Sequence, residues 1–163
     1  MWTRSLTRLL VISVLTGPIA NYTAPECILT VEAAAALGKV QEFLLSGAAD
    51  PVSGQQYSLK TYDCYRPTSA VADFVSWALE VNNTLMQAEF YPEEQKANLF
   101  ADGYIAYHSG HSRGSTMDLP IVALPAASEQ VDTPGQPLVS CHAPYGVRWF
   151  DNSIDMGTGF DCQ

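Results

Sequence analysis

Residues 58–79 read SLKTYDCYRPTSAVADFVSWAL, and a change of hydrophobic period inside this stretch decides the fold. Ser58 to Tyr65 holds enough Leu, Thr and Tyr for a strand that runs into Arg66-Pro67. Beyond the proline, Thr68 or Ser69 can cap a helix whose Val71, Phe74, Val75, Ala78 and Leu79 form an apolar stripe, with Asn82-Asn83 as its stop. Upstream, Thr30 can cap a first helix with Leu37, Val40 and Leu44 on one face and Gly47 at its end, and Ala49 to Gln56 is rich in turn formers. Downstream, Pro92 with Glu93 and Glu94 suits the start of a short helix reaching Phe100, since proline fits a first turn and acids complement the dipole. Tyr104 to Tyr107 and Met117 to Leu124 read as strands on either side of Ser109 to Ser115. Helices first and strands afterwards predict an α+β domain: a small, mainly antiparallel sheet with helices packed on one face.

The 163 residues suit one domain with one moderate core. Residues 1–20 read as an export signal, because Arg4 and Arg8 precede the apolar run Leu9 to Leu15 and Gly17 to Ala20 offers a cleavage region. That run is too short to span a bilayer, so the expectation is an exported chain, periplasmic or secreted, with no membrane contact once the signal is removed. Eight basic against seventeen acidic residues give a surface that repels polyanions, which argues against nucleic acid as a partner. Cys27, Cys64, Cys141 and Cys162 are an even count in an oxidising compartment, and three pairings are open. We favour Cys27 with Cys64 and Cys141 with Cys162, since each ties a loop to a segment rich in chemistry. The absence of CxxC spacing argues against a cysteine zinc site. Ala123 to Leu138, rich in Ala, Pro, Ser and Gly, reads as a surface loop within the domain.

The chemistry concentrates in residues 107–119, YHSGHSRGSTMDL, where an imidazole and a carboxylate flank a glycine turn. A loop that ends at Gly114 and feeds a strand near Met117 can bring His111 and Asp118 together, and both are good zinc ligands. The same spacing also suits unrelated hydrogen-bonded groups. Arg66 before Pro67 equally suits a structural ion pair, Ser109 a turn, and Asp161 a loop carboxylate or helix cap. His108 and His142 fit no motif and read as loop histidines, with His142 beside Cys141 the one conceivable stand-in ligand.

Ser109, His111, Gly114 and Asp118, in the pattern Ser-x-His-x-x-Gly-x-x-x-Asp, resemble the signature of the VanX-type zinc D-alanyl-D-alanine dipeptidases. Two further blocks agree: Tyr62 to Pro67 with Ala70-Val71 and Phe74 to Trp77 resembles the family's Asp-x-Tyr-Arg-Pro block, and Asp155 to Asp161 its Asp-Met-Gly-x-x-Phe-Asp block. With Phe90-Tyr91-Pro92 and Gly103 to Ala106, the likeness runs from about Cys27 to Asp161. The resemblance implies that His111 and Asp118 are two of three protein ligands of a catalytic zinc, and that Arg66 stabilises charge on the scissile carbonyl oxygen. It implies further that Ser109 and Asp161 hold the dipeptide, Asp161 by pairing with the substrate's free ammonium. The substrate class would be D-alanyl-D-alanine or a similar small peptide.

The family also carries a later Glu-x-x-His segment that supplies the general base and the third ligand. No Glu-x-x-His occurs in this sequence, so the expectation is a signal over residues 1–20 and, over 21–163, a dipeptidase-like domain incomplete at its C-terminal end, which without that base and third ligand is expected to be inactive by itself. Two other functions are open at this point. One is a noncatalytic module that binds cell-wall peptides, and the other is a related zinc D,D- or L,D-carboxypeptidase.

Overall fold

The computed structural model describes residues 22, 26–131, 133 and 135–163. The expected signal over residues 1–20 lies outside the described residues. Helix α1 spans Val31–Leu45, strand β1 Tyr57–Leu59, helix α2 Thr68–Leu79, the short helix α3 Gln87–Phe90 and strand β2 Ile121–Ala123. Single 3-10 turns lie at Lys96–Asn98 and Gly110–Arg113. Helices with a small antiparallel sheet make this the expected α+β fold. Among the described residues no helix is long and apolar enough to cross a membrane.

Helix α1 starts where the capping residue predicts. Thr30 Oγ1 accepts the Ala33 amide at 3.3 Å, satisfying a donor that the first turn leaves free. At the other end Gly47 has φ +76°, and a Cβ there would sit 2.9 Å from the Gly54 carbonyl oxygen, so both backbone and space require glycine. The helix docks on β1 through a polar clamp: Gln41 Oε1 takes the Leu59 amide at 2.8 Å and Gln41 Nε2 donates to Ser58 Oγ at 3.0 Å. Of the expected stripe, Leu44 is buried, Leu37 is half-buried and Val40 is exposed. A two-stranded ribbon is too narrow to cover the whole face.

Strands β1 and β2 pair antiparallel, with Tyr57 opposite Ala123, Ser58 opposite Val122 and Leu59 opposite Ile121. Both are shorter than expected. Pro120 has no amide to donate and interrupts the ladder, although its carbonyl still accepts from Lys60 at 3.1 Å. Pairing resumes one step further on. Tyr62 donates to the Asp118 carbonyl and Asp118 to the Asp63 carbonyl, each at 2.8 Å, which sets Asp63 opposite Asp118.

Helix α2 runs as expected, but its cap is Pro67 and no side chain closes its N-terminus; Thr68 and Ser69 lie inside the helix. Val71, Phe74, Trp77 and Ala78 are buried, whereas Leu79 points outward and Trp77 takes the place expected for it. With Phe90, Tyr91 and Leu99 the last three make the main aromatic core, and Trp77 meets Tyr91 edge to face at 6.0 Å. The helix expected from Pro92 to Phe100 is a single 3-10 turn. Tyr91, before the proline, leaves the helical region and Gln95 is extended, so α-helix forms ahead of Pro92, in α3. The strand expected over Tyr104 to Tyr107 is a bent loop, tied by the Ile105 amide to Leu99 and by Tyr107 stacked on Phe100 at 4.7 Å.

Both favoured disulfides are formed. Cys27–Cys64 has a Cα separation of 5.1 Å and Cys141–Cys162 one of 5.5 Å. The C-terminal segment lacks helix and strand, yet its backbone is pinned, Cys141 to the Glu89 carbonyl and Gln163 to the Phe90 carbonyl, both at 2.8 Å. Phe160 packs on Tyr62 with ring centroids 4.1 Å apart.

Candidate metal centre

His111 sits in the 3-10 turn Gly110–Arg113, and sequence chemistry shapes that turn. Ser109 Oγ takes the His111 amide at 3.2 Å, and Gly114, at φ +71°, returns its own amide to the His111 carbonyl at 3.0 Å. The turn is then fastened on two sides. Thr30 donates to the Gly114 carbonyl at 2.8 Å, and Ser112 Oγ donates to the Arg66 carbonyl at 2.8 Å. The side chain is left 11% exposed.

The two ring nitrogens have different tasks. Nδ1 lies 2.8 Å from the Cys64 carbonyl oxygen, which can only accept, so Nδ1 carries the proton. In the neutral ring that leaves Nε2 with a lone pair, 3.4 Å from Asp118 Oδ1. In the charged ring Nε2–H donates to Asp118, and that bond raises the His111 pKa above its ordinary value, against burial. Asp118 is fixed by the resumed ladder opposite Asp63, so strand pairing delivers the carboxylate and the glycine turn the imidazole.

Arg66 borders this pair. Its Nη2 lies 3.7 Å from Asp118 Oδ2, its Nε donates to Asp63 Oδ2 at 2.8 Å, and its guanidinium carbon stands 4.8 Å over the Phe74 ring. Asp63 is almost without solvent contact. Its oxygens accept from Arg66 Nε, from the Cys64 amide at 2.8 Å and from the Tyr22 hydroxyl at 3.2 and 3.3 Å. Burial, and after it the Asp63 charge, pushes the Tyr22 hydroxyl pKa well up.

Asp161, at φ +53°, feels the same charges. Burial first and Asp118 second push its pKa up to about 6, opposed by Arg66 and His111. The residue is also exposed by area, which argues for a smaller shift than enclosure alone would give.

Asp63, His111 and Asp118 each offer a ligand atom, all within 4.8 Å of one another. The imidazole divides them. Asp63 lies on the Nδ1 side, 3.9 Å away, where the Cys64 carbonyl already occupies the nitrogen, and Asp118 faces the free Nε2. The nitrogen and oxygen donors that fit an ion are therefore His111 Nε2 and Asp118, with Asp63 behind them. A second cluster, Cys141, His142 and Cys162, offers no thiolate because both sulfurs are in the disulfide. His142 and His108 are exposed loop residues.

Of the residues singled out from sequence, His111, Asp118 and Arg66 meet directly, and Asp161 lies within reach of their charges. Ser109 serves here as the cap of the histidine turn, and Cys27–Cys64 lies at the margin through Cys64. The reading of the sequence gave Asp63 no role, although it is the Asp of the Asp-x-Tyr-Arg-Pro block, and passed over Tyr22. The signal for Asp63 was its place three residues before Arg66, a spacing suited to an ion pair; Tyr22, 41 residues from its partner, had none.

A family model described as D-ala-D-ala dipeptidase matches residues 7–131. That span holds Arg66, Ser109, His111 and Asp118, starts inside the stretch read as an export signal, and stops before Asp161. The D-alanyl-D-alanine dipeptidase of Enterococcus faecium is 34% identical over 107 residues, which are 66% of this chain and 49% of the relative. That of Streptomyces coelicolor is 36% identical over the same shares, and that of Enterococcus faecalis 44% identical over 68 residues, 42% of this chain and 34% of the relative. The chain thus spans half the length, or less, of these relatives. With the family model covering well over half of its residues, including the histidine turn, the chain belongs to the D-Ala-D-Ala dipeptidase family.

Proposed function

We propose that this site takes part in the zinc-dependent hydrolysis of D-alanyl-D-alanine to D-alanine. One observation carries the reading: a free imidazole nitrogen and a carboxylate stand 3.4 Å apart, with a guanidinium 3.7 Å from the same carboxylate. Zinc suits the donors, and His111 and Asp118 would hold it. The chemistry such an ion supplies when bound is Lewis-acid activation of water and of the scissile carbonyl.

The chain's own residues do the rest. The Cys64 carbonyl holds the imidazole in the tautomer that leaves Nε2 free. Arg66 keeps an Nη edge facing the pair, placed to stabilise the negative charge that develops on the carbonyl oxygen in the transition state. Asp161, when ionised, is the pairing group for the substrate's ammonium, and its requirement for a cation favours a dipeptide with a free amino terminus. Ser109, beside the turn, completes the seat. The sequence has no Glu-x-x-His, so the family's base and third ligand have no counterpart among these residues. Arg4, Arg8 and the apolar run after them support export, and two disulfides suit an oxidising compartment.

The test measures zinc content and D-alanine release on the disulfide-intact chain, alone and joined to a relative's Glu-x-x-His segment. Release from the joined chain that needs zinc and acts on the free dipeptide but not on longer peptides is expected, with little or none from the chain alone. Arg66→Ala should lower the rate about a hundredfold with zinc content unchanged. His111→Ala should weaken zinc binding by about a hundredfold or more. Zinc and dipeptide binding without release by the joined chain would make the chain a binding module, and a fully active Arg66→Ala would remove the guanidinium from the mechanism.

A further inference from the structure

We infer that Asp63 is the positioning residue of this site: its carboxylate, closed off by Tyr22, sets the direction of the Arg66 guanidinium and anchors the residue that holds His111. A carboxylate shut away from water is costly unless its oxygens are satisfied. Those of Asp63 are. Oδ2 takes Arg66 Nε, Oδ1 takes the Cys64 amide, and the Tyr22 hydroxyl reaches both.

Each bond has a consequence at the reacting end. With Nε engaged on one side and the Phe74 ring 4.8 Å beneath, the guanidinium plane has little freedom, and its Nη2 is left near Asp118. The Cys64 amide is pinned by Oδ1, and the carbonyl of the same residue receives His111 Nδ1. One buried acid thus orients the charge stabiliser and, through Cys64, the metal-facing imidazole, while touching neither the free Nε2 nor the space in front of it. Placement on the Nδ1 side separates this role from that of a third ligand.

The inference deepens the proposed reaction and rests on it only in the kinetic arm of its test. In the zinc-loaded, 15N-labelled full chain, the Arg66 Nε–H resonance, identified by its loss in Arg66→Lys, should exchange slowly with water. Asp63→Asn keeps the size of the side chain and should broaden or abolish that resonance while dispersion elsewhere persists. Zinc affinity should stay within about threefold, well below the loss expected when a ligand's support is removed, because the Asn amide oxygen can still accept the Cys64 amide behind His111. If the joined chain turns over D-alanyl-D-alanine, Asp63→Asn should lower kcat at least about tenfold with KM little changed. Adding it to Arg66→Ala should then lower the rate no further, because the two act as a unit.

An unchanged Arg66 resonance would overturn the inference, as would a hundredfold loss of zinc affinity, which would make Asp63 a ligand. Tyr22→Phe reads the same resonance with a smaller perturbation and decides the matter if Asp63→Asn does not fold. A joined chain that releases no D-alanine would defeat the proposed reaction, and the resonance would still decide the role of Asp63.

Discussion

The aromatic core around Trp77 and the polar knot around Asp63 sit beside the same helix and are held by opposite kinds of force. In the core, Phe74, Trp77, Phe90, Tyr91 and Leu99 are held by contact area, which has no preferred direction and spreads any loss over many neighbours. In the knot, Asp63, Arg66, His111 and Asp118 are held by a few directional contacts between named atoms. Damage to the first should therefore appear as instability, and damage to the second as lost chemistry in a protein that still folds. Phe74 belongs to both, packed in the core on one side and lying under Arg66 on the other.

The largest effect should come from the core. Trp77→Ala removes the ring that meets Tyr91 and carries the Lys96 ammonium 4.0 Å from its centroid, and should cost about 3–5 kcal/mol in urea unfolding. Zinc affinity of the molecules that remain folded should not change; a parallel fall would show that the two regions are not separable. Next comes the double change Cys27→Ser with Cys64→Ser, which opens a loop of 37 residues and should cost about 2–4 kcal/mol. Zinc titration should still find the site, because Cys64 serves His111 through its backbone carbonyl. The smallest and most informative change is Phe74→Leu. It should cost only about 1 kcal/mol of stability and yet slow turnover about threefold by loosening the guanidinium above it. Slower turnover with no loss of stability would assign Phe74 to the knot alone.

What the sequence disclosed follows the same division. Helices α1 and α2 were legible because their signals are local: Thr30 as a cap, and Val71, Phe74 and Ala78 at helical spacing. Val40 and Leu79 show the limit of that signal, since periodicity tells which residues share a face but not whether a neighbour covers it. The strands were read too long because Pro120 interrupts the ladder, and Tyr104 to Tyr107 has strand composition without a partner strand. His111, Asp118 and Arg66 were singled out because three sequence blocks resemble one family. Asp63 stood in one of those blocks without a role and Tyr22 in none, because their meaning lies in contacts to each other and, for Asp63, to Arg66 that only the folded chain displays.

Cys64 is attached three ways: by sulfur to Cys27, by amide to Asp63 and by carbonyl to His111. The latter two attachments are available to any residue that has a peptide amide and carbonyl, so the geometry around His111 does not depend on the identity of this side chain. A lineage can therefore acquire or discard the cross-link as it moves between oxidising and reducing surroundings, trading durability without redrawing the site.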